Sequence, residues 1–171
     1  NVCDDSSVFG SACVYDNACV FNNACVSGNA RVYNNARVCG NVRVSDNSRV
    51  YGNSRVCGDA WVYENAWVSD NACVSGNARV YGDAWVYGST NVRGDAEIST
   101  DADYIVFKNW WSSGRYFTWT RSNNMWSVGC FYGTGEELIK KAYQDSKKSG
   151  LEYERIVHYV EDVLKSENNG K

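Results

Sequence analysis

The chain has 171 residues, a formal net charge of −3, no proline, one histidine, eight cysteines and 14% aromatic residues. No apolar run is long enough to span a bilayer and no signal-peptide pattern is present, so the composition excludes a chain organised around membrane-spanning helices. Residues 1–103 hold seven arginines, no lysine and twelve acids, a net of −5, and the remainder is +2, so the basic signature of a nucleic-acid binder is missing.

From Val2 onward one hexad repeats without a slip. Valine falls at every sixth position through Val92, and Ile98 closes the series. A small residue stands two positions before each, from Ala12 to Ala102, with Val42, Ser48, Ser54 and Thr90 as variants. Side chains two apart on a strand share a face, so each valine and its small partner point inward together. Pairs such as Gly52-Asn53 and Gly82-Asp83 supply corners, because Gly, Asn and Asp tolerate a left-handed backbone. A helix is excluded, since a period of six leaves no apolar stripe at 3.6 spacing. Three strand-and-corner units per coil make a triangular prism of parallel sheets. The pattern resembles the hexapeptide-repeat superfamily of left-handed parallel β-helices. That resemblance implies the handedness and a mainly β fold of five to six coils over residues 1–103.

Outward positions sort by eighteen into three faces. The first carries Cys13 and Tyr15, Arg31 and Tyr33, Arg49 and Tyr51, Trp67 and Ser69, then Trp85 and Tyr87. The second carries Cys19, Phe21, Arg37, Cys39, Arg55, Cys57, Cys73 and Arg93; the third carries Cys25, Arg43, Trp61, Tyr63, Arg79, Tyr81 and Glu97. Tyrosine beside arginine and tryptophan makes the first face the richest. Such ladders strengthen neighbouring rungs by cross-strand packing, but Tyr, Trp and Arg are also the residues of binding hot spots. The candidate partner-binding residues are therefore Arg31, Tyr33, Arg49, Tyr51, Trp67, Trp85 and Tyr87. Members of the superfamily associate through such faces as dimers or trimers, so a homodimer or trimer is the competing use.

All cysteines except Cys130 take outward positions. Only Cys39 and Cys57 stack on adjacent rungs, where parallel side-chain vectors make poor disulfide geometry. Free thiols fit a reducing cytoplasm, and no Cys/His grouping reads as a metal site.

After Ala102 the pattern changes, and residues 104–171 read as a separate C-terminal cap. Runs at 104–111, 115–121 and 125–131 predict a three-stranded antiparallel meander that gathers Tyr104, Phe107, Trp110, Trp111, Tyr116, Phe117, Trp119 and Trp126 over the open end of the prism. Thr134 and Glu137 form a capping box opening a helix to about residue 148, which Gly150 closes. A second helix spans about 151–166, and the tail 167–171 is expected to fray. The segment from Gly129 to Thr134 followed by two helices resembles a C-terminal module of small phage and bacterial hexapeptide-repeat proteins.

Catalysis is not expected. The acyltransferases and γ-class carbonic anhydrases that the repeat resembles use histidines on or between the coils, whereas His158 lies on the polar side of the second helix. Asp46, Asp59, Asp70, Asp83 and Asp95 occupy corners for backbone reasons. No catalytic residue, metal or cofactor is assigned. The expected function is a rigid cytoplasmic module that binds a protein partner, such as a nucleic-acid-binding host complex, in the manner of a phage inhibitor of CRISPR-type defence. Direct nucleic-acid binding is disfavoured by the acidic repeats, and mimicry of a nucleic acid by the acidic corners stays open. A self-associating structural protein and an acyltransferase-like enzyme are the alternatives.

Overall fold

A computed structural model describes residues 1–169. The repeats form a parallel β-solenoid of a little over five coils, with sixteen two- to four-residue strands from β1 (Ser7–Val8) to β16 (Glu97–Ile98), one per hexad. Each strand pairs in parallel with the strand one coil away, so the chain builds one six-stranded and two five-stranded sheets. The register follows the eighteen-residue sorting, as Arg31 pairs with Arg49, Arg49 with Trp67 and Trp67 with Trp85. Inside, the valines from Val20 to Val92 and the alanines from Ala18 to Ala96 are wholly removed from solvent. Each buried valine contributes roughly 1.5–3 kcal/mol of apolar transfer free energy.

The corners show why the repeat favours Gly, Asn or Asp, with Glu64 as the exception. The first corner residue of successive hexads has positive φ, for example Asp46 at 59°, Asp70 at 57° and Gly52 at 74°. An acid there also accepts from the backbone N–H of the corner one coil on, as Asp46 does from Glu64 at 3.1 Å and Glu64 from Gly82 at 2.7 Å. The second corner position stacks side-chain amides, with Asn29, Asn47 and Asn65 donating in series toward Asp83. The corner aspartates are thus consumed in the frame.

Beyond Ile98 the chain seals the solenoid with side chains that imitate the next coil. In the coils, N–H groups at outward strand positions donate to carbonyls seventeen residues on, as Trp67 does to Ala84. In the last coil the N–H groups of Trp85, Asn91 and Glu97, one per sheet, donate instead to Asp101 Oδ1, Thr118 Oγ1 and Ser122 Oγ at 2.8, 2.9 and 2.7 Å. Tyr104 donates to the Trp85 carbonyl at 2.7 Å, and Tyr132 to that of Arg93 at 3.2 Å. An edge that would template pairing with another chain is closed this way. Burial, with Tyr87 and Asp101 nearby, pushes the Tyr104 phenol up to about 12.

Asp103 completes the seam by accepting from the N–H and hydroxyl groups of Ser99 and Thr100. Burial raises its pKa, but these four hydrogen bonds outweigh burial and hold the carboxyl below its ordinary value. A depressed folded pKa stabilises the fold above the unfolded value of ~3.9, and that contribution is lost as pH falls through the folded value. Asp103→Asn should cost about 1–2 kcal/mol at pH 7, an amount discounted for partial exposure. The gap between variant and wild type should narrow as pH falls below ~3.9 and close once Asp103 is protonated in the folded protein, as paired thermal unfolding curves would show.

The cap is a sheet of four antiparallel strands, not three: β17 (Tyr104–Lys108), β18 (Tyr116–Thr120), β19 (Met125–Val128) and β20 (Phe131–Gly133), in that order. Gly129, at φ 58°, turns the chain within the expected third strand and splits it in two. The first strand stops at Lys108 because Asn109 folds the backbone over. Its carbonyl accepts from Gly114, its side-chain oxygen from the Ser112 N–H, and its amide donates to Tyr153 at 2.9 Å. Trp111, Phe117, Trp119 and Trp126 form the buried core with Leu138, Val157 and Val160. Trp110 and Tyr116 stay outside it, 69% and 49% exposed, and Tyr104 joins the solenoid core.

Helix α1 (Gly135–Asp145) begins on the expected capping box, with Thr134 as N-cap and Glu137 reaching back. It ends at Ser146, whose hydroxyl accepts from the Ser149 N–H and starts α2 (Lys147–Asn169) before Gly150. Gly150 therefore lies inside α2, where a Cβ would strike the Tyr143 ring, so its role is close helix packing and not termination. Helix α2 also runs past residue 166. Glu167 is held by Arg121 at 2.6 Å, so the expected fraying does not begin there; residues 170 and 171 lie outside the described residues.

Candidate functional site

The solenoid places the seven candidate residues in one ladder on the first face. Parallel pairing at fixed register brings equivalent positions of successive coils together, so the rings stack without loops to position them. Tyr15, Tyr33 and Tyr51 stack with centroids 5.0 Å apart and planes within 2°. Burial and the neighbouring phenols raise the Tyr33 pKa, while Arg49 and Arg31 oppose the rise.

At Ser69 the tyrosine column breaks, and the tryptophans fill the gap. Trp67 meets Tyr51 edge-on at 6.4 Å and Trp85 at 5.9 Å. The indole N–H of Trp85 donates to Ser69 Oγ at 2.9 Å, and its ring packs 4.9 Å from Tyr87. The Arg49 guanidinium lies 4.7 Å over the Trp67 ring, a cation–π contact. Arg31, Trp85 and Tyr87 are exposed, and Tyr33, Arg49, Tyr51 and Trp67 are half-buried against one another. The result is a flat, pre-stacked surface of rings and guanidiniums whose side chains lose little freedom on contact.

A second aromatic cluster occupies the third face. Arg43 and Arg79 lie over the Trp61 ring at 4.8 and 5.6 Å, and Tyr63 stacks on Tyr81 at 5.2 Å. Along this column Phe9, Ser27, Ser45 and Tyr63 succeed one another, so two coils lack a ring. A groove of about 760 Å³ opens there between Phe9 and Trp61. Sorting by eighteen places these residues on one face, but ring counts alone do not show that the serines leave a hollow.

On the second face Cys39 pairs with Cys57 in register. The neighbouring Cys57 thiol, with Arg93 and Arg55, holds the Cys73 thiol down to about 7 against the opposing effect of burial. The neighbouring Cys73 thiol, together with burial, pushes Cys57 well up. Residues 57 and 73 are sixteen apart, so a search at the eighteen-residue period passes over them.

Among the described residues no group of three or more His, Cys, Asp or Glu is placed to hold a metal ion. His158 is exposed on α2, outside the repeat segment. No described helix is long and apolar enough to cross a membrane.

A family model described as the YdcK beta solenoid repeat matches residues 24–38, 36–54 and 72–88. The matched segments lie within the coils, so the chain is similar to that repeat in its solenoid. Comparisons with curated proteins and with solved structures returned no match.

Proposed function

We propose that the protein is a non-catalytic, rigid binding module whose first face grips a protein partner. The observation that carries this reading is the pre-stacked ladder of Arg31, Tyr33, Arg49, Tyr51, Trp67, Trp85 and Tyr87 on a frame whose corners and C-terminal edge are already hydrogen-bonded. Its residue types are those that dominate binding energy at interfaces, and their stacking removes ordering cost before contact. A protein is favoured over nucleic acid because the repeats carry −5, and phosphate neutralisation dominates nucleic-acid affinity. The sharper form of the proposal is an inhibitor of a host defence complex, acting in the cytoplasm. It rests on the resemblance of the segment from Gly129 to Thr134 to a module of phage and bacterial proteins, and on free thiols.

Self-association would consume the same face. Sedimentation velocity of wild type and of the Arg49→Ala/Tyr51→Ala/Trp67→Ala variant separates the two uses. The binding reading expects identical sedimentation across concentrations. A discrete wild-type oligomer that the variant breaks to monomers would overturn it.

A further inference from the structure

We propose that the groove on the third face binds a planar aromatic acid, whose fused ring of indole size stacks on Tyr63 and whose carboxylate pairs with Arg43. The frame builds the slot. Phe9, Ser27, Ser45 and Tyr63 sit on successive coils, because the N–H of each donates one coil on, as Ser27 does to Val44 and Ser45 to Val62. Coils lie about 4.8 Å apart, and the tyrosines of the first face show that one ring per coil stacks at 5.0 Å. Two serines in succession therefore leave two ring positions open, on the side of Tyr63 away from its stacked partner Tyr81.

The first face shows what such a gap accepts. There Ser69 interrupts the column, and Trp85, sixteen residues on, fills it with its N–H on Ser69 Oγ and its ring 4.9 Å from Tyr87 at 44°. Trp61 stands sixteen residues after Ser45 but makes no such bond among the described residues. Arg43 and Arg79, paired with it from the coils on either side, lie over its ring at 4.8 and 5.6 Å. It is held at 79° to Tyr63 with centroids 6.5 Å apart, a wall of the slot and not its filling. The Ser45 hydroxyl donates to Asp46 Oδ2 at 3.0 Å and keeps its lone pairs for a ring N–H.

Charge selects the acid. Arg43 and Asp46 are the charged side chains lining the groove. Asp46 is engaged by the corner, accepting from the Ser45 hydroxyl and the Glu64 N–H. Arg43 has no carboxylate partner among the described residues, so its guanidinium is the group that a ligand anion meets between the rings.

Calorimetric titration with indole-3-acetate and with neutral 3-methylindole tests the site. Wild type should bind the acid saturably and prefer it by about tenfold, the size of one charge-assisted hydrogen bond at a partly exposed site. NMR of the wild-type complex should show NOEs from the ligand ring to Tyr63 and Trp61, a readout independent of how any variant folds. Ser45→Tyr, which continues the column as Tyr33 and Tyr51 do on the first face, should abolish binding without lowering the melting temperature. Arg43→Gln should erase the preference for the acid, and the Arg49→Ala/Tyr51→Ala/Trp67→Ala variant should bind it as wild type does. No saturable binding by wild type, NOEs to first-face rings alone, or loss of binding in the first-face variant would overturn the proposal. So would full affinity in Ser45→Tyr or an undiminished acid preference in Arg43→Gln.

Discussion

Gly40→Val should destabilise the protein by about 2–6 kcal/mol, the sum of strain at a disallowed backbone and overpacking. Corners occupied by Asp, Asn or Glu in the coils have φ between 56° and 61°, within the left-handed well, but Gly40 sits at 95°. A Cβ there would stand 2.6 Å from the Gly58 carbonyl oxygen one coil on, and both glycines belong to paired strands. A β-branched side chain cannot relax from this position without breaking the ladder. Gly88, at φ 68°, is the control, because a Cβ added there would meet no atom within 4 Å. Gly88→Asn should cost less than about 1 kcal/mol, since Asn tolerates the left-handed region. Urea unfolding of both variants reads the difference, and equal stability of Gly40→Val and wild type would contradict the corner geometry.

Trp67→Ala should carry the largest single effect on partner affinity, a loss of at least about 2 kcal/mol or roughly thirtyfold. Trp67 is the junction of the wall, where the tyrosine column, Trp85 and the Arg49 guanidinium meet. Its removal frees Arg49 and leaves Tyr51 without an edge-on partner. The fold itself should lose only about 1 kcal/mol, because the coil beneath is held by backbone hydrogen bonds and Val68. Trp61→Ala on the third face removes a comparable indole and should leave affinity unchanged. Titration of the partner with both variants identifies the face, and equal losses would show that the first face has no special role.

The solenoid was legible because its period is enforced at every coil: one slipped residue would turn Val62 outward and Trp61 inward. Face assignment followed from the same period, which is why Arg31, Arg49, Trp67 and Trp85 fall in one column. The cap was less legible. Its four strands depend on Gly129 turning within an unbroken β-forming run, and the early stop of β17 depends on Asn109 reaching Tyr153, forty-four residues away. Neither follows from local propensity. Gly150 carried the signature of a helix stop, yet the hydroxyl of Ser146 starts the second helix first, and Tyr143 needs the missing side chain. The imitation of a further coil by Asp101, Thr118 and Ser122 is tertiary and has no periodic signal. Cys57 and Cys73 lie on paired strands two residues out of register, so the period that reveals the faces conceals their proximity.

The binding claim is tested most directly by affinity capture. Tagged wild type and the Arg49→Ala/Tyr51→Ala/Trp67→Ala variant are incubated with lysate of the natural source, each with and without nuclease, and retained proteins are quantified. A face that grips a protein predicts a partner retained by wild type, resistant to nuclease and lost from the variant. The same proteins retained equally by both, or retention that vanishes with nuclease, would contradict it.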